Sequence, residues 1–401
     1  MKPVKVAMIG VGAISGIYLE NLTKTFREVE LCGVCDLIPE RAQKGVEYVK
    51  SEQEKGAKAV TPKIYADMYE AFNDPEVEVV LNLTRPYEHY EVTKQALLHG
   101  KHVFSEKPLA VDMEEADELV ALAEKSGLCM GGAPDTFMGA GIQTARKLID
   151  DGMIGDVIGA NCAMICHGHE TWHPDPEFYY KRGGGPMLDM GPYYVTALVQ
   201  LLGEAKGVMG MTKKSFDKRT ITSDPHYGEV VDVDVDTYLS GNILFSNGAI
   251  AQLFTTFDVY YGQGGQARFE VYGTRGTLLV PDPNTFGGPV LLLRPEDQAV
   301  APKTDPGLMR HNAPEFYNGY KEIPLMFDYC ENSRALGLSD MCKAIRTGRG
   351  FRANYQQQHH VLEILTSFTK SCEKGEMISL STKYTRTAPM KNNPMHGILD
   401  E

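Results

Sequence analysis

The sequence has no run close to the ~20 consecutive apolar residues that a membrane helix needs, so no membrane span is expected. Positive charge is also scarce. Its 40 Lys and Arg face 53 Asp and Glu, a net charge of −13. Nucleic acid and anionic membrane surfaces both call for a positive footprint, so neither is an expected partner. A small anionic ligand stays open, because a local site can oppose the global sign. There is no internal repeat, no low-complexity tract and a single tryptophan, Trp172. Nor is there an apolar leader with a cleavage site, since Met1-Lys2-Pro3-Val4-Lys5-Val6 runs straight into a strand pattern. Cys32 and Cys35 have C-x-x-C spacing, but they lie in an apolar run that reads as a strand. Side chains three apart there leave on opposite faces, which makes buried thiols the expectation rather than a redox pair or metal ligands. The scattered cysteines point to a reducing, cytoplasmic compartment.

What is present suits a globular protein of two domains. The chain has 401 residues, more than the ~250–300 at which single cores stop growing, and 43% of them are hydrophobic. Val4–Ile9 reads as a short buried strand and is followed at once by Gly10-Val11-Gly12-Ala13-Ile14-Ser15-Gly16. Ile14, Tyr18 and Leu22 then recur at helical spacing. A glycine turn between a strand and a helix is the context for dinucleotide binding. Gly10 permits the tight turn, and Gly12 lets the backbone approach a pyrophosphate held at the helix N-terminus. Ser15 stands where the fingerprint has its third glycine. A second strand, 30–35, ends in Asp36, which lies 24 residues after Gly12, near the ~20 expected of the acid that binds the adenosine ribose. A carboxylate there accepts from a 2′-hydroxyl and repels a 2′-phosphate, so NAD is expected in preference to NADP. Strand–helix alternation continues through 77–83, 89–99, 101–104 and 113–125, which implies a parallel, doubly wound sheet. Asp36, Thr84 and Glu106 all fall at strand C-terminal ends, where such sheets bind ligands.

From about residue 130 the pattern changes. A helix at 142–149 precedes extended segments at 156–166, 208–216, 236–246, 249–258 and 267–273, with Asn247-Gly248 marking a hairpin. This predicts a large, mainly antiparallel open sheet. Residues 295–325 read as a long loop, and helices near 333–347 and 355–373 close the fold. The expected division is a Rossmann domain at 1–130 and a substrate-binding and oligomerisation domain at 131–401, whose last helices pack back toward the first domain. Asp232, Asp234 and Asp236 alternate with valines and read as one solvated strand face. His359 and His360 either pack or face solvent.

At Ser105-Glu106-Lys107-Pro108 the chain resembles the glucose–fructose oxidoreductase, inositol dehydrogenase and rhizopine-catabolism (Gfo/Idh/MocA) family. The resemblance extends over nearly the whole chain. It takes in the glycine turn, Thr84-Arg85-Pro86 with His89 behind it, Gly183-Gly184-Gly185-Pro186-Met187-Leu188-Asp189-Met190-Gly191, and Val271-Tyr272-Gly273-Thr274-Arg275-Gly276-Thr277-Leu278. It implies an NAD-dependent enzyme that moves a hydride between nicotinamide and a secondary hydroxyl of a sugar, polyol or glycoside, and it implies a homo-oligomer. The cofactor would lie on Gly10, Gly12, Ala13, Ile14, Asp36, Thr84, Pro86, His89, Glu106 and Lys107. Lys107 would reach the reacting hydroxyl, its pKa lowered by burial and by the nicotinamide cation, and Asp189 would orient the substrate.

The family places a histidine four residues after that aspartate, whereas this chain has Tyr193. Tyrosine can move a proton only if its pKa of ~10 falls. The other candidate bases are His167, His169 and His173, which lie within seven residues on one loop; His173 is expected as a catalytic base. His167, His169, Trp172 and Tyr179 are expected at the substrate, with the aromatic rings suited to sugar C–H faces or an aglycone. No metal is expected. Two other functions share the pattern. One is a glycosidase that oxidises, eliminates and re-reduces with NAD kept bound, and the other is a non-enzymatic NAD-binding sensor.

Overall fold

The computed structural model describes residues 1–260, 268–298, 319–391 and 396–399. Its first third alternates as the apolar runs require: β1 (Val4–Ile9), α1 (Ser15–Lys24), β2 (Val29–Cys35), α2 (Pro39–Glu54), β3 (Lys63–Ile64), α3 (Met68–Asn73), β4 (Val79–Asn82), α4 (His89–Leu98), β5 (His102–Ser105), α5 (Met113–Ser126) and β6 (Met130–Gly132). These six strands are parallel, in the order β3-β2-β1-β4-β5-β6. Parallel strands are covered on both faces and read as unbroken apolar runs, and all four residues of β4 are buried. The chain steps outward from β1 to β2 and β3, then returns to the far side of β1 as β4. That reversal opens a crevice at the strand C-termini, and Gly10, Asp36, Thr84 and Glu106 line up along it.

The remainder continues as α6 (Ala140–Asp150), β7 (Val157–Ile165), α7 (Gly185–Asp189), α8 (Gly191–Leu202), β8 (Ala205–Lys213), β9 (Lys218–Thr220), β10 (Val230–Asp232), β11 (Tyr238–Phe245), β12 (Ile250–Thr256), β13 (Arg268–Gly273), β14 (Gly276–Leu279), β15 (Val290–Leu293), α9 (Pro295–Gln298), β16 (Lys321–Ile323), α10 (Leu336–Thr347), α11 (Tyr355–Lys374) and β17 (Ile378–Ser379). Nine of these strands form one sheet, β16-β15-β14-β13-β7-β12-β11-β8-β17. The β7–β12 pair is parallel and every other pairing described in this sheet is antiparallel. The expected Asn-Gly hairpin joins β11 to β12, with Gly248 at φ +87°.

The departures from expectation are mostly short elements. The strands β9, β10 and β14 to β17 run two to four residues each, too short for alternation to declare them. The stretch read as loop at 295–325 contains α9 and β16, and its residues 299–318 lie outside the described ones. The helix expected from 333 begins at Leu336, because Ala335 takes a left-handed φ of +81°. Of the three aspartates, only Asp232 lies in a strand. Each takes its own partner: Lys218 for Asp232, Lys181 for Asp234 and the Thr212 hydroxyl for Asp236. Cys35 is buried in the core, and the half-buried Cys32 thiol donates to the Val6 carbonyl at 3.3 Å. Among the described residues, no helix is long and apolar enough to cross a membrane.

All of α8 is buried, which suits a helix apolar all round. It lies beneath α11, and α11 packs on β8 and also on α5 and β6 of the parallel sheet. His360 on α11 is fully buried. Its Nε2 accepts from the Ala205 amide at 3.0 Å, and its Nδ1 meets the Thr382 hydroxyl at 2.7 Å. Burial pushes its pKa down to about 4. The unfolded chain therefore binds the His360 proton first, and the stability it contributes, complete above pH ~6.5, is lost as pH falls toward 4. Urea unfolding should show a loss of ~3 kcal/mol across that window, and His360→Gln should flatten that part of the slope.

Candidate active site

At the end of β1 the turn closes tightly. Gly10 sits at φ +94°, and a side chain there would strike the Leu83 carbonyl at 2.7 Å. Gly12 is the opposite case, since a Cβ there would meet nothing within 4 Å. Open space therefore lies over the start of α1. Ala13 and Ile14 are exposed beside it, and the first turn of α1 carries no acidic residue to neutralise its positive end. Ser15, in place of the third glycine, is buried and turns its hydroxyl back to the Gly12 carbonyl at 2.7 Å. Asp36 closes the crevice on the β2 side. Its two oxygens accept from Val11 N (2.6 Å) and Ile38 N (2.8 Å), which fixes a carboxylate where a ribose hydroxyl would arrive. These residues fit a dinucleotide: an anion-favouring helix end, a cradle that a side chain would fill, and an acid at the ribose end.

On the other side of the crevice, Asn82 holds Thr84 through its amide oxygen, 2.7 Å from the Thr84 hydroxyl. His89 is only 1% exposed. Its ring nitrogens meet the Thr84 carbonyl (3.0 Å) and the Pro108 carbonyl (2.8 Å). It was expected at the cofactor, but the geometry makes it a clasp between the Thr84-Arg85-Pro86 turn and the Lys107–Pro108 turn, whose peptide is cis. Pro86 lies half-buried beside Gly183. Glu106 is nearly buried, with Oε1 accepting from the Tyr18 hydroxyl (2.7 Å) and Oε2 from Lys107 N (3.0 Å).

The two sheets meet at Lys107. Its Nζ donates to Oδ1 of Asp189 at 2.6 Å and to the Asp189 carbonyl at 2.7 Å. Burial alone would depress the lysine pKa, but Asp189, Tyr193 and Glu106 outweigh it and hold the ammonium above its ordinary range. The lowering expected here is therefore absent from the protein's own balance. Burial likewise opposes ionisation of Asp189, yet Lys107 and His169 keep its carboxyl well below the usual range. The glycine run makes this approach possible. Gly183, at φ +87°, leaves 2.6 Å between an added Cβ and Val111, so any side chain would push the Asp189 helix away from the first domain.

Of the three loop histidines, His169 is the one at Asp189. Its Nε2 lies 2.9 Å from Oδ2, and its Nδ1 accepts the Trp172 indole N–H at 3.2 Å. With Nδ1 an acceptor, the neutral ring carries its proton on Nε2 and donates it to Asp189. Tyr179 and Phe257 flank the ring, with centroids at 4.3 and 4.7 Å. His173, expected as a base, accepts the Asp175 amide at 3.0 Å and packs on Phe178 and Tyr179 instead. His167 turns away and stacks on Tyr260 at 3.6 Å. Tyr193 lies under Lys107, whose Nζ is 5.3 Å from the ring centroid. Burial, with Glu106, raises its pKa against the pull of Lys107 and Arg334. The fall that a tyrosine base needs does not occur, and Tyr193 stays a phenol.

Three residues of the site carry no sequence signal. Tyr18 holds Glu106 from below. Arg334 comes within 3.5 Å of the Tyr193 hydroxyl from the segment ahead of α10. Arg219, on β9, forms a buried ion pair with Glu170, donates to the His167 carbonyl, and reaches Asp258 at 3.3 Å. Glu170 also takes the Tyr180 hydroxyl. This charged knot fixes the loop that aims His169.

A doubly wound parallel sheet with a glycine turn, joined to an open mixed sheet by a lysine–aspartate pair, defines a two-part dinucleotide-binding protein. Family models agree, with the NAD-binding Rossmann fold of an oxidoreductase family matching residues 4–132 and the GFO/IDH/MocA C-terminal domain matching 142–279. The chain belongs to the Gfo/Idh/MocA family. It is 36% identical over 153 residues to an inositol 2-dehydrogenase/D-chiro-inositol 3-dehydrogenase of Lactiplantibacillus plantarum, a match covering 38% of this chain and 41% of the relative. It is 29% identical over 242 residues to a 1,5-anhydro-D-fructose reductase of Ensifer adhaerens, covering 58% and 67%. The chain thus spans from under half to two thirds of these relatives' lengths. A levoglucosan dehydrogenase structure superposes with a TM-score of 0.77 at 19% identity, over 96% of this chain and all of that one, and shows the shared fold.

Arg219→Met would strand the Glu170 charge in the interior. Loss of one partner of a buried pair costs about 3–5 kcal/mol, and denaturant unfolding should show a destabilisation of that size.

Proposed function

We propose that this protein is an NAD-dependent dehydrogenase acting on a secondary hydroxyl of a sugar, polyol or glycoside. One observation carries the reading: Asp189 receives Lys107 on one oxygen and His169 on the other, beside the crevice that fits a dinucleotide. Relatives named for inositol, anhydrofructose and xylose chemistry support the substrate class.

When bound, the nicotinamide supplies C4 as the hydride acceptor for substrate oxidation. The residues handle the proton and the charge. The ammonium of Lys107 stabilises the oxygen that becomes alkoxide and then carbonyl. His169 accepts the hydroxyl proton on Nδ1, the nitrogen now facing the exposed Trp172. The resulting imidazolium is held by the Asp189 carboxylate, which orients the ring as the acid of a serine-protease triad does. The aromatic rim of Trp172 and Tyr179 suits the C–H faces of a pyranose or the aglycone of a glycoside oxidised at its 3-position.

On the far face of the second sheet, Met209, Met211 and Ile250 are exposed beside the Tyr238–Phe254 ring pair. This supports a homo-oligomer, to be seen as a multiple of the 44.3 kDa chain by light scattering. The described cysteines are all free thiols, which suits a cytoplasmic setting.

A screen of inositols, hexoses, uronates and aryl glycosides at the NADH absorbance tests the reading. Stoichiometric NADH is expected. Aglycone release without NADH would move the assignment to a redox-recycling glycosidase. Lys107→Ala and His169→Asn should each lower kcat by ~10²–10⁴-fold, and His169→Asn should leave NADH affinity by calorimetry unchanged within about twofold; full activity in either would sink the mechanism. Asp36→Ala should lower the NAD-over-NADP ratio of kcat/KM by ~10-fold or more, as expected for loss of a charged hydrogen bond.

A further inference from the structure

Arg334 is the cation in this cleft that the proton chemistry leaves unused. Its Nη1 donates to Asn332 Oδ1 at 2.7 Å. Its Nη2 donates to Asn284 Oδ1 at 2.8 Å and reaches the Tyr193 hydroxyl at 3.5 Å. All three acceptors are neutral, and they occupy three of the guanidinium's five donors. Every other arginine among the described residues that is partly or fully buried has a carboxylate partner: Arg146, Arg219, Arg294, Arg346, Arg349, Arg352 and Arg386. Arg334 is half-buried and has none among the described residues. Glu106 contributes to its electrostatic field, but both Glu106 oxygens are already taken by the Tyr18 hydroxyl and the Lys107 amide.

The backbone holds this residue in place. Asn21 of α1 donates to the carbonyls of Asn332 and Arg334 at 2.9 and 2.8 Å. The next residue, Ala335, adopts the left-handed conformation that side chains avoid, a form of strain found at ligand clamps. The guanidinium and the Lys107 ammonium face the same tyrosine. An unpaired charge that the fold takes trouble to position is poised for a charge it lacks.

We propose that Arg334 is the anchor of an oxyanion site, reading a carboxylate or phosphate presented beside Lys107 and Tyr193. An oxyanion of either kind can take the remaining guanidinium donors. Two ligands could bring it: the pyrophosphate of the cofactor, or an acidic group on the substrate, as in a uronate. The second source rests on the dehydrogenase reading above; the site itself does not.

The test uses equilibrium binding, which needs no turnover. Calorimetry measures NADH on wild type, Arg334→Gln and Arg334→Lys, then D-glucuronate and D-glucose on each NADH complex. Arg334→Gln should weaken one anionic ligand by ~10-fold or more and leave glucose unmoved. Weakened NADH assigns the site to the cofactor phosphate, whereas a lost preference for glucuronate assigns it to the substrate. Arg334→Lys keeps the charge without the fork and should lie between the two. It replaces the glutamine variant if that variant does not fold. NADH and glucuronate affinities both within twofold of wild type, in a variant with an unchanged melting temperature, overturn the proposal. A wild type that reduces no NAD with any sugar but shows the Arg334 effect would defeat the dehydrogenase reading and leave the oxyanion site standing.

Discussion

The contact between the Lys107 ammonium and the Asp189 carboxylate is the constraint around which the molecule is arranged. Each charge has been taken out of water, a penalty of several kcal/mol per ion that only close geometry and further hydrogen bonds repay. Both conditions hold here. Lys107 has two acceptors on one residue, and Asp189 has a second donor in His169. The lysine comes from the end of β5 and the aspartate from α7, so the pair also sets the distance between the two sheets. Nearby oddities of the chain follow from it: the glycines that let α7 approach, the His89 clasp behind the lysine turn, and the buried Arg219–Glu170 pair behind the histidine loop.

The tyrosine at position 193 acquires a meaning in this arrangement. Where the resemblance implies a histidine four residues beyond the aspartate, this chain carries at the start of α8 a phenol whose pKa burial raises. The imidazole at Asp189 comes from the β7-end loop instead. The aspartate keeps a histidine partner, but that partner now approaches from the solvent side with an indole on its far nitrogen. In the proposed reaction this arrangement would send the proton outward to the mouth rather than inward toward α8.

Much of this was legible in the sequence where the signal is local. The Gly10–Ser15 turn, Asp36 and the long apolar runs of β1, β2 and β4 declare the parallel sheet, because turn chemistry and periodicity are properties of adjacent residues. Lys107 and Asp189 were legible through the motifs around them. Among the three loop histidines the sequence points to His173 as the base, whereas the fold brings His169 to Asp189, since three similar side chains on one loop differ only in what the rest of the fold places opposite each. Arg219 and Arg334 were invisible for a related reason. Neither sits in a motif, and the site residues they meet, Glu170 and Tyr193, are 49 and 141 residues away. The short strands β14 to β17 gain their stability from the sheet they extend, not from their own few residues.

The hydrogen bond from Trp172 to His169 has one more consequence. The protein contains a single indole, and that indole touches the ring assigned to the proton. Light emitted by this side chain therefore reports on one place, undiluted by signals from elsewhere in the chain. Any ligand that parts the two rings changes the emission, so the molecule carries its own optical gauge of whether its mouth is open or filled.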